Sequence, residues 1–199
     1  MDRLQPLEEL YQLLQQNNIV AITDIRGKGG VGKTELAIQY SWYKLEDYPG
    51  GCCWLNIQGV DIVTQLSEFA FVNEFPGFKI PENLTIASQL AYCWKNWRPG
   101  KVLLVFDNVT NIEEIQDYLP PMGSRFRVLI TTRSSQLPYP SLPLGELPET
   151  EALELLAQLL GKELVQKELE FATKLCQFVG CVPLGLYNAA ALYSKPGST

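Results

Sequence analysis

The most informative motif in this chain is Gly27-Lys28-Gly29-Gly30-Val31-Gly32-Lys33-Thr34. It fits the pattern G-x-x-x-x-G-K-S/T, which indicates phosphate binding when it lies between a strand and a helix. Both are predicted here. Residues 19–22 (Ile-Val-Ala-Ile) form an apolar run typical of a strand buried on both faces, and residues 33–44 have a helical pattern. The stretch therefore predicts an anion-binding turn between a buried strand and a helix.

The residue types in this turn are those that phosphate binding requires. Glycines let the backbone curve around an anion and point N–H groups at it, and the start of the following helix adds its positive dipole end. Lys33 supplies a full charge for β- and γ-phosphates, and the Thr34 hydroxyl is suited to Mg²⁺. A glycine-rich turn without a ligand is the alternative. The candidate nucleotide contacts are Gly27, Gly29, Gly30, Val31, Gly32, Lys33, Thr34 and Glu35.

The rest of the chain alternates strands and helices up to about residue 148. Further strands are predicted at 52–57, 101–106, 127–132 and 142–147, and helices at 1–16, 62–71, 86–97 and 112–118. Alternation of this kind is typical of a parallel sheet with helices on both faces. Later residues show only helical patterns, at 149–160, at 164–179 and from Pro183. We expect an α/β P-loop NTPase core at 1–148 and a small all-helical subdomain at 149–199.

Two charged residues follow predicted strands and are candidates for the same site. Asp107 comes at the carboxyl end of the strand 101–106, where a P-loop protein holds Mg²⁺ or its water, although aspartate is also common as a helix cap or turn residue. Arg133 ends the strand 127–132. If that strand lies beside the strand 19–22, its guanidinium would face a γ-phosphate; otherwise it is a solvated strand end.

Composition excludes several classes of function. The 199 residues contain no histidine, which rules out Ser-His-Asp and Cys-His catalysis. The formal net charge of −6 argues against nucleic acid as a direct partner. No apolar run approaches the ~20 residues that span a bilayer, and no leader opens the chain, so we expect a cytoplasmic protein without a membrane partner. The five scattered cysteines are expected to be reduced and mostly buried.

These motifs, in this order, resemble the NB-ARC domain of the STAND class of signalling ATPases. The similar segments are GKGGVGKTELA at 27–37, KVLLVFDNV at 101–109, RVLITTR at 127–133, LPLGELPETEALELL at 142–156 and GCVPL at 180–184. The resemblance implies that Lys33 and Thr34 bind phosphates and Mg²⁺, with Asp107 on the metal side and Arg133 as a γ-phosphate sensor. It also implies that Pro183, with Leu184 beside it, contacts the adenosine; a proline that only starts a helix is compatible with that role.

The resemblance further implies a molecular switch. ADP would hold a closed form, and exchange for ATP would open it and permit homo-oligomerisation, in a longer protein with downstream sensor and effector domains. The candidate catalytic residues are Asp107, Asn108 and Arg133. Many relatives carry a second acid where this chain has Asn108, and an amide cannot accept a proton from water, so slow or absent ATP hydrolysis is expected.

Two further departures from the family pattern qualify this interpretation, and two alternatives remain open. Cys181 stands where the family usually has glycine, and the histidine-containing part that usually follows is absent from these residues. Residues 28–34 also fit the deviant signature of MinD/ParA-type ATPases, in which the first lysine, here Lys28, reaches across a dimer. An interaction module with purely structural ADP is a third interpretation.

Overall fold

A five-stranded parallel sheet forms the centre of the molecule. The computed structural model describes residues 3–25, 29–59, 61–75, 77–134 and 136–193. The strands are β1 (Ile19–Asp24), β2 (Cys52–Asn56), β3 (Val102–Val109), β4 (Phe126–Thr132) and β5 (Ser141–Leu144). Their order in the sheet is β2-β3-β4-β1-β5, and every neighbouring pair is parallel. The predicted α/β P-loop fold is confirmed.

Eight α-helices surround and follow the sheet in the described residues. They are α1 (Leu4–Gln16), α2 (Lys33–Tyr43), α3 (Ile62–Val72), α4 (Ile86–Asn96), α5 (Glu149–Leu160), α6 (Lys162–Lys167), α7 (Leu169–Phe178) and α8 (Pro183–Tyr193). Side chains fix some of the starts: Asp61 accepts a hydrogen bond from the Thr64 N–H and begins α3, and Thr85 accepts one from the Ser88 N–H and begins α4.

Each face of the sheet is covered by its own pair of helices, because successive strand residues point to opposite faces. One face carries Ile19 and Ala21 of β1 and packs against α3 and α4. The other carries Val20 and Ile22 and packs against α1 and α2. The central strands β1, β3 and β4 therefore consist mainly of buried apolar residues, as expected for a sheet buried on both sides, and most of their polar residues lie toward the carboxyl ends.

The helices after β5 form a separate apolar cluster. Its buried members all follow Gly145: Leu147, Ala152, Leu155, Leu156, Val165, Ala172, Cys176 and Leu186. Helix α5 is amphipathic and supplies three of them, which explains its central place among these helices. The division of the chain at residue 148 stays a prediction.

Some elements differ in detail from those predicted. The region 164–179 is two helices, because Glu168 leaves the helical conformation (φ −111°, ψ 37°) between α6 and α7. The helix expected at 112–118 consists of two short 3₁₀ turns, and β5 ends at Leu144, where 147 was predicted. None of the helices in the described part of the chain is long and apolar enough to cross a membrane.

Candidate nucleotide-binding site

The candidate site lies at the carboxyl ends of three adjacent strands. Because β4 lies between β3 and β1, the residues that follow these strands meet at one edge of the sheet, where open α/β sheets bind ligands. A cleft of about 490 Å³ opens there. It is lined by residues of the turn after β1, of β3 and β4, and of the later helices α5 and α8.

The turn between β1 and α2 has the backbone of an anion cradle. Gly30 and Gly32 have positive φ angles of +84° and +98°, which residues other than glycine rarely adopt. Gly32 is the N-cap of α2 and provides no side chain to its first-turn amides, so these donors remain available to an anion. Val31 is buried in the core beneath α1 and α2, so it anchors the turn through its side chain.

Thr34 and Asp107, predicted to hold Mg²⁺, are brought together by the fold. The Thr34 hydroxyl donates to Asp107 Oδ1 over 2.9 Å, although the two residues are 73 positions apart. The same carboxylate oxygen accepts from the Thr131 hydroxyl at 2.5 Å. Thr131 belongs to β4, so the Asp107 carboxylate is held between the first turn of α2 and the strand next to β1.

Asn108 lies beside Asp107 in an unusual backbone conformation. The pairing of β3 with β4 is interrupted between Phe106 and Val109, and within this irregularity Asn108 has φ of +64°. Asparagine tolerates the left-handed region better than most residues do. The Asn108 N–H donates to Thr131 Oγ1 over 2.9 Å, and the residue lines the cleft.

Lys33 is engaged in a buried ion pair that was not foreseen. Its Nζ lies 2.8 Å from Asp24 Oδ2, and the side chains of Lys33 and Asp24 are only 10% and 1% exposed. Asp24 is the last residue of β1. The available signal was a single carboxylate at the end of the apolar run Ile19–Asp24, which a search for strand-end carboxylates would have found.

Arg133 lies against the phosphate-binding turn. Strand β4 pairs with β1, as the prediction for Arg133 required. A Cβ added at Gly29 would come within 3.2 Å of Arg133 Nη2, so the guanidinium covers the backbone of the turn. Arg133 is exposed and lines the cleft.

Helix α8 closes the cleft from the opposite side. The Leu184 N–H donates to the Gly30 carbonyl oxygen over 3.2 Å. A Cβ added at Gly30 would come within 2.6 Å of Leu184 Cβ, and one added at Gly32 would lie 4.0 Å from Pro183 Cγ. Pro183 is the first residue of α8, as predicted, and both Pro183 and Leu184 line the cleft.

The remaining predicted residues have different outcomes. Glu35 is exposed in the first turn of α2, lines the cleft and accepts a hydrogen bond from Gln39 Nε2 at 3.0 Å. Cys181, in place of the usual glycine, has φ of +52°, which explains why glycine is favoured there. Gly27 and Lys28 lie outside the described residues.

Several cleft residues could not be found from local motifs. They are Arg3, Leu147, Leu155, Gln158 and Tyr187. Arg3 precedes α1, and its Nη2 is buried without a hydrogen-bond partner among the described residues. Burial lowers the pKa of the Arg3 guanidinium, an effect that the Glu151 carboxylate opposes. These residues come from both ends of the chain, so only the tertiary structure brings them to one cleft.

Comparison with known proteins assigns the family. The family model of the NB-ARC domain matches residues 3–163. The chain belongs to the NB-ARC family. This confirms the resemblance predicted from the motifs and implies nucleotide binding at the P-loop. The match also argues against the alternative that the chain is a MinD/ParA-type ATPase.

The chain also has distant relatives, and its fold is similar to that of solved structures. The chain is 27% identical over 186 residues, 88% of its length, to the regulatory protein AfsR of Streptomyces griseus, of which it spans 19%. Its fold is similar to that of the Walker-type ATPase PABY2304 of Pyrococcus abyssi, with a TM-score of 0.63, 12% identity, and coverage of 98% of this chain and 68% of that one. The ORC2 protein of Aeropyrum pernix, solved as ADPNP–ADP complexes, gives a TM-score of 0.52 and 13% identity, with coverage of 97% and 68%.

Proposed function

We propose that this NB-ARC domain is an adenine-nucleotide switch module that binds ADP or ATP with Mg²⁺ and controls a longer regulatory protein. The observation that carries the proposal is the composition of the cleft. Its walls combine the phosphate-binding turn and Arg133 on the sheet side with Pro183 and Leu184 on the helical side. A ligand in this cleft would contact both parts, so its phosphates can influence how the helices dock.

The contact between α8 and the turn supports this coupling. Leu184 donates to the carbonyl of Gly30, and no room remains between the two residues for even a methyl group. A change in the backbone of the turn on phosphate binding would therefore be transmitted to the start of α8. Arg133 is exposed and lies over Gly29, so in this proposal it would add contacts for a γ-phosphate that ADP lacks.

The oxygens of Thr34 and Asp107 fit a magnesium ion. Mg²⁺ prefers oxygen ligands, of which it takes one or two from the protein and the rest from water and phosphates. A hydroxyl and a carboxylate 2.9 Å apart at the start of α2 form such a pair. Mg²⁺ bound there would neutralise phosphate charge. Thr131 would keep the Asp107 carboxylate in place.

We propose that ATP hydrolysis is slow or absent. Asn108 occupies the position after the metal-side carboxylate and lines the cleft, but a neutral amide does not act as a general base. A switch does not require fast turnover. It requires differential affinity for two conformations, about 5.5 kcal/mol to move a population from 1:99 to 99:1.

The similarity to AfsR motivates the regulatory part of the proposal. Because the chain spans 19% of that regulator, the sensor and effector functions, and any nucleotide-dependent homo-oligomer, are proposals about the longer protein. In this view the domain supplies the nucleotide-dependent step, in the cytoplasm, without direct contact to nucleic acid or membrane.

The first experiment is to denature the purified protein and identify the nucleotide it releases. Near-stoichiometric ADP is expected. If the site is empty, calorimetric titration with ADP and with an ATP analogue replaces that measurement. Lys33→Ala should weaken binding at least tenfold, and the matched control Lys174→Ala, at an exposed residue outside the cleft, should not. Failure of the wild-type protein to bind either nucleotide overturns the proposal.

A further inference from the structure

Asp24 is a buried carboxylate at the end of β1, in contact with the lysine of the P-loop motif. It lies on the same face of β1 as Val20 and Ile22, the face that packs against α1 and α2. Lys33 is the first residue of α2, and its Nζ lies 2.8 Å from Asp24 Oδ2.

Asp24 depends on Lys33 for charge compensation, because its carboxylate is buried. Its side chain is 1% exposed, and its second oxygen, Oδ1, is buried without a hydrogen-bond partner in the part of the chain that the structure describes. A buried carboxylate is costly unless a cation compensates it. Lys33 is that cation here, and it is also the residue to which the P-loop motif assigns the β- and γ-phosphates.

We propose that Asp24 is an internal counter-ion that competes with nucleotide phosphates for Lys33 and biases the site toward ADP over ATP. The inference rests on the proposed function. When phosphates engage Lys33, the lysine must leave Asp24 or be shared with it. The buried negative charge then opposes each additional phosphate charge, so it opposes ATP more than ADP, and AMP least.

Asp24 and Arg133 would therefore have opposite effects on the affinity for ATP relative to ADP. Arg133 is an exposed cation that attracts a γ-phosphate, and its contribution is screened by salt. Asp24 is buried, so its repulsion is screened much less. Raising the salt concentration should consequently weaken ATP binding without removing the effect of an Asp24 substitution.

A purely structural role for Asp24 predicts the opposite sign. If the carboxylate only positions Lys33 for phosphate binding, its neutralisation would let the lysine move and would weaken nucleotide binding. The sign of the change in affinity therefore separates competition from positioning. Asp24→Asn is suited to the test, because the amide oxygen retains a hydrogen-bond acceptor for Lys33 while the charge is removed.

The experiment compares dissociation constants for AMP, ADP and a non-hydrolysable ATP analogue at fixed Mg²⁺. Asp24→Asn should bind the ATP analogue at least tenfold more tightly than the wild type does. The gain for ADP should be smaller, and AMP should not change. Asp117→Asn, which removes a carboxylate from an exposed position, is the matched control and should leave all three constants unchanged. Unchanged or weaker binding of the ATP analogue by a folded Asp24→Asn protein overturns the proposal, as does an equal gain for AMP.

A second variant and a second ligand guard against a folding defect and against failure of the proposed function. Asp24→Ser removes the charge with a smaller side chain, and the same tightening is expected if Asp24→Asn does not fold. Inorganic tripolyphosphate tests the competition without the nucleoside. If the wild-type protein binds no adenine nucleotide but Asp24→Asn binds tripolyphosphate more tightly than the wild type, the proposed function fails and the role of Asp24 stands. If neither protein binds tripolyphosphate or nucleotide, both are overturned.

Discussion

Gly30→Ala tests whether α8 is packed tightly against the phosphate-binding turn. The glycine has φ of +84°, and a Cβ there would come within 2.6 Å of Leu184 Cβ and 2.9 Å of Leu184 Cδ2. Both distances are shorter than van der Waals contact. The turn or α8 must therefore shift to accept even one methyl group.

Two costs contribute to the expected loss of stability. A non-glycine residue in the left-handed region costs about 1–2 kcal/mol. Overpacking a well-filled contact adds about 1–3 kcal/mol. Gly123→Ala separates them, because Gly123 also has positive φ, +71°, but a Cβ there meets no atom within 4 Å. Gly30→Ala should therefore lower the free energy of unfolding by about 1–3 kcal/mol more than Gly123→Ala does.

Urea denaturation followed by tryptophan fluorescence gives both free energies of unfolding. Each variant is compared with the wild type in the absence of nucleotide, so that ligand binding does not contribute. Losses that agree within about 0.5 kcal/mol would refute the reasoning, since substitutions without such features usually change stability by no more than that. Such a result would mean that α8 moves away from the turn at little cost.

Three further predictions concern single residues. Arg133→Ala should lower the affinity for ATP relative to that for ADP about tenfold or more, measured by calorimetric titration with each nucleotide. Unchanged affinities for both nucleotides would show that Arg133 does not contact the γ-phosphate. Cys181→Gly removes a left-handed penalty of about 1–2 kcal/mol at φ +52° and adds about 0.5–1 kcal/mol of backbone entropy cost for glycine. The free energy of unfolding should therefore rise by about 0.5–1 kcal/mol, and a loss of stability in urea denaturation would contradict this. Burial raises the pKa of Cys52 to about 11 and of Cys93 to about 12, from 9.0, so both thiols stay protonated in the fold where the unfolded chain releases protons. Stability should therefore fall as pH rises from about 9 toward 12, with a shallower fall in Cys52→Ser; a flat profile above pH 9 would contradict the assigned burial.

The sequence predicts the strands of the sheet and most of the site because both depend on local patterns. Buried parallel strands appear as short apolar runs, and residues that directly follow them lie at one edge of the sheet. This argument predicted that Asp107 and Arg133 would lie near the turn that contains Lys33. The structure places Arg133 against Gly29 and Asp107 against Thr34.

Other parts depend on contacts that no local pattern specifies. The break between α6 and α7 interrupts a continuous apolar periodicity at Glu168, because the later helices pack around α5. Arg3 and Leu184 come from opposite ends of the chain, yet both line the cleft. Their places are set by how α1 packs against the sheet and how α8 packs against α5, which tertiary contacts determine.

Under the proposed function, the affinity of this site for nucleotide is a difference between competing partners. Lys33 is paired with Asp24, the Thr34 hydroxyl donates to Asp107, and the Gly30 carbonyl accepts from Leu184. The lysine and the hydroxyl are already engaged within the protein. Phosphates and Mg²⁺ would therefore have to replace Asp24 as the partner of Lys33 and alter the contact between Thr34 and Asp107. Hydrogen bonds to charged groups contribute about 1.5–3 kcal/mol net, so a ligand that displaces these partners would gain only the difference between two interactions of similar strength. Under the proposed function, such a site would favour a reversible switch over the tightest possible binding, because small differences between ADP and ATP would then decide which conformation is populated.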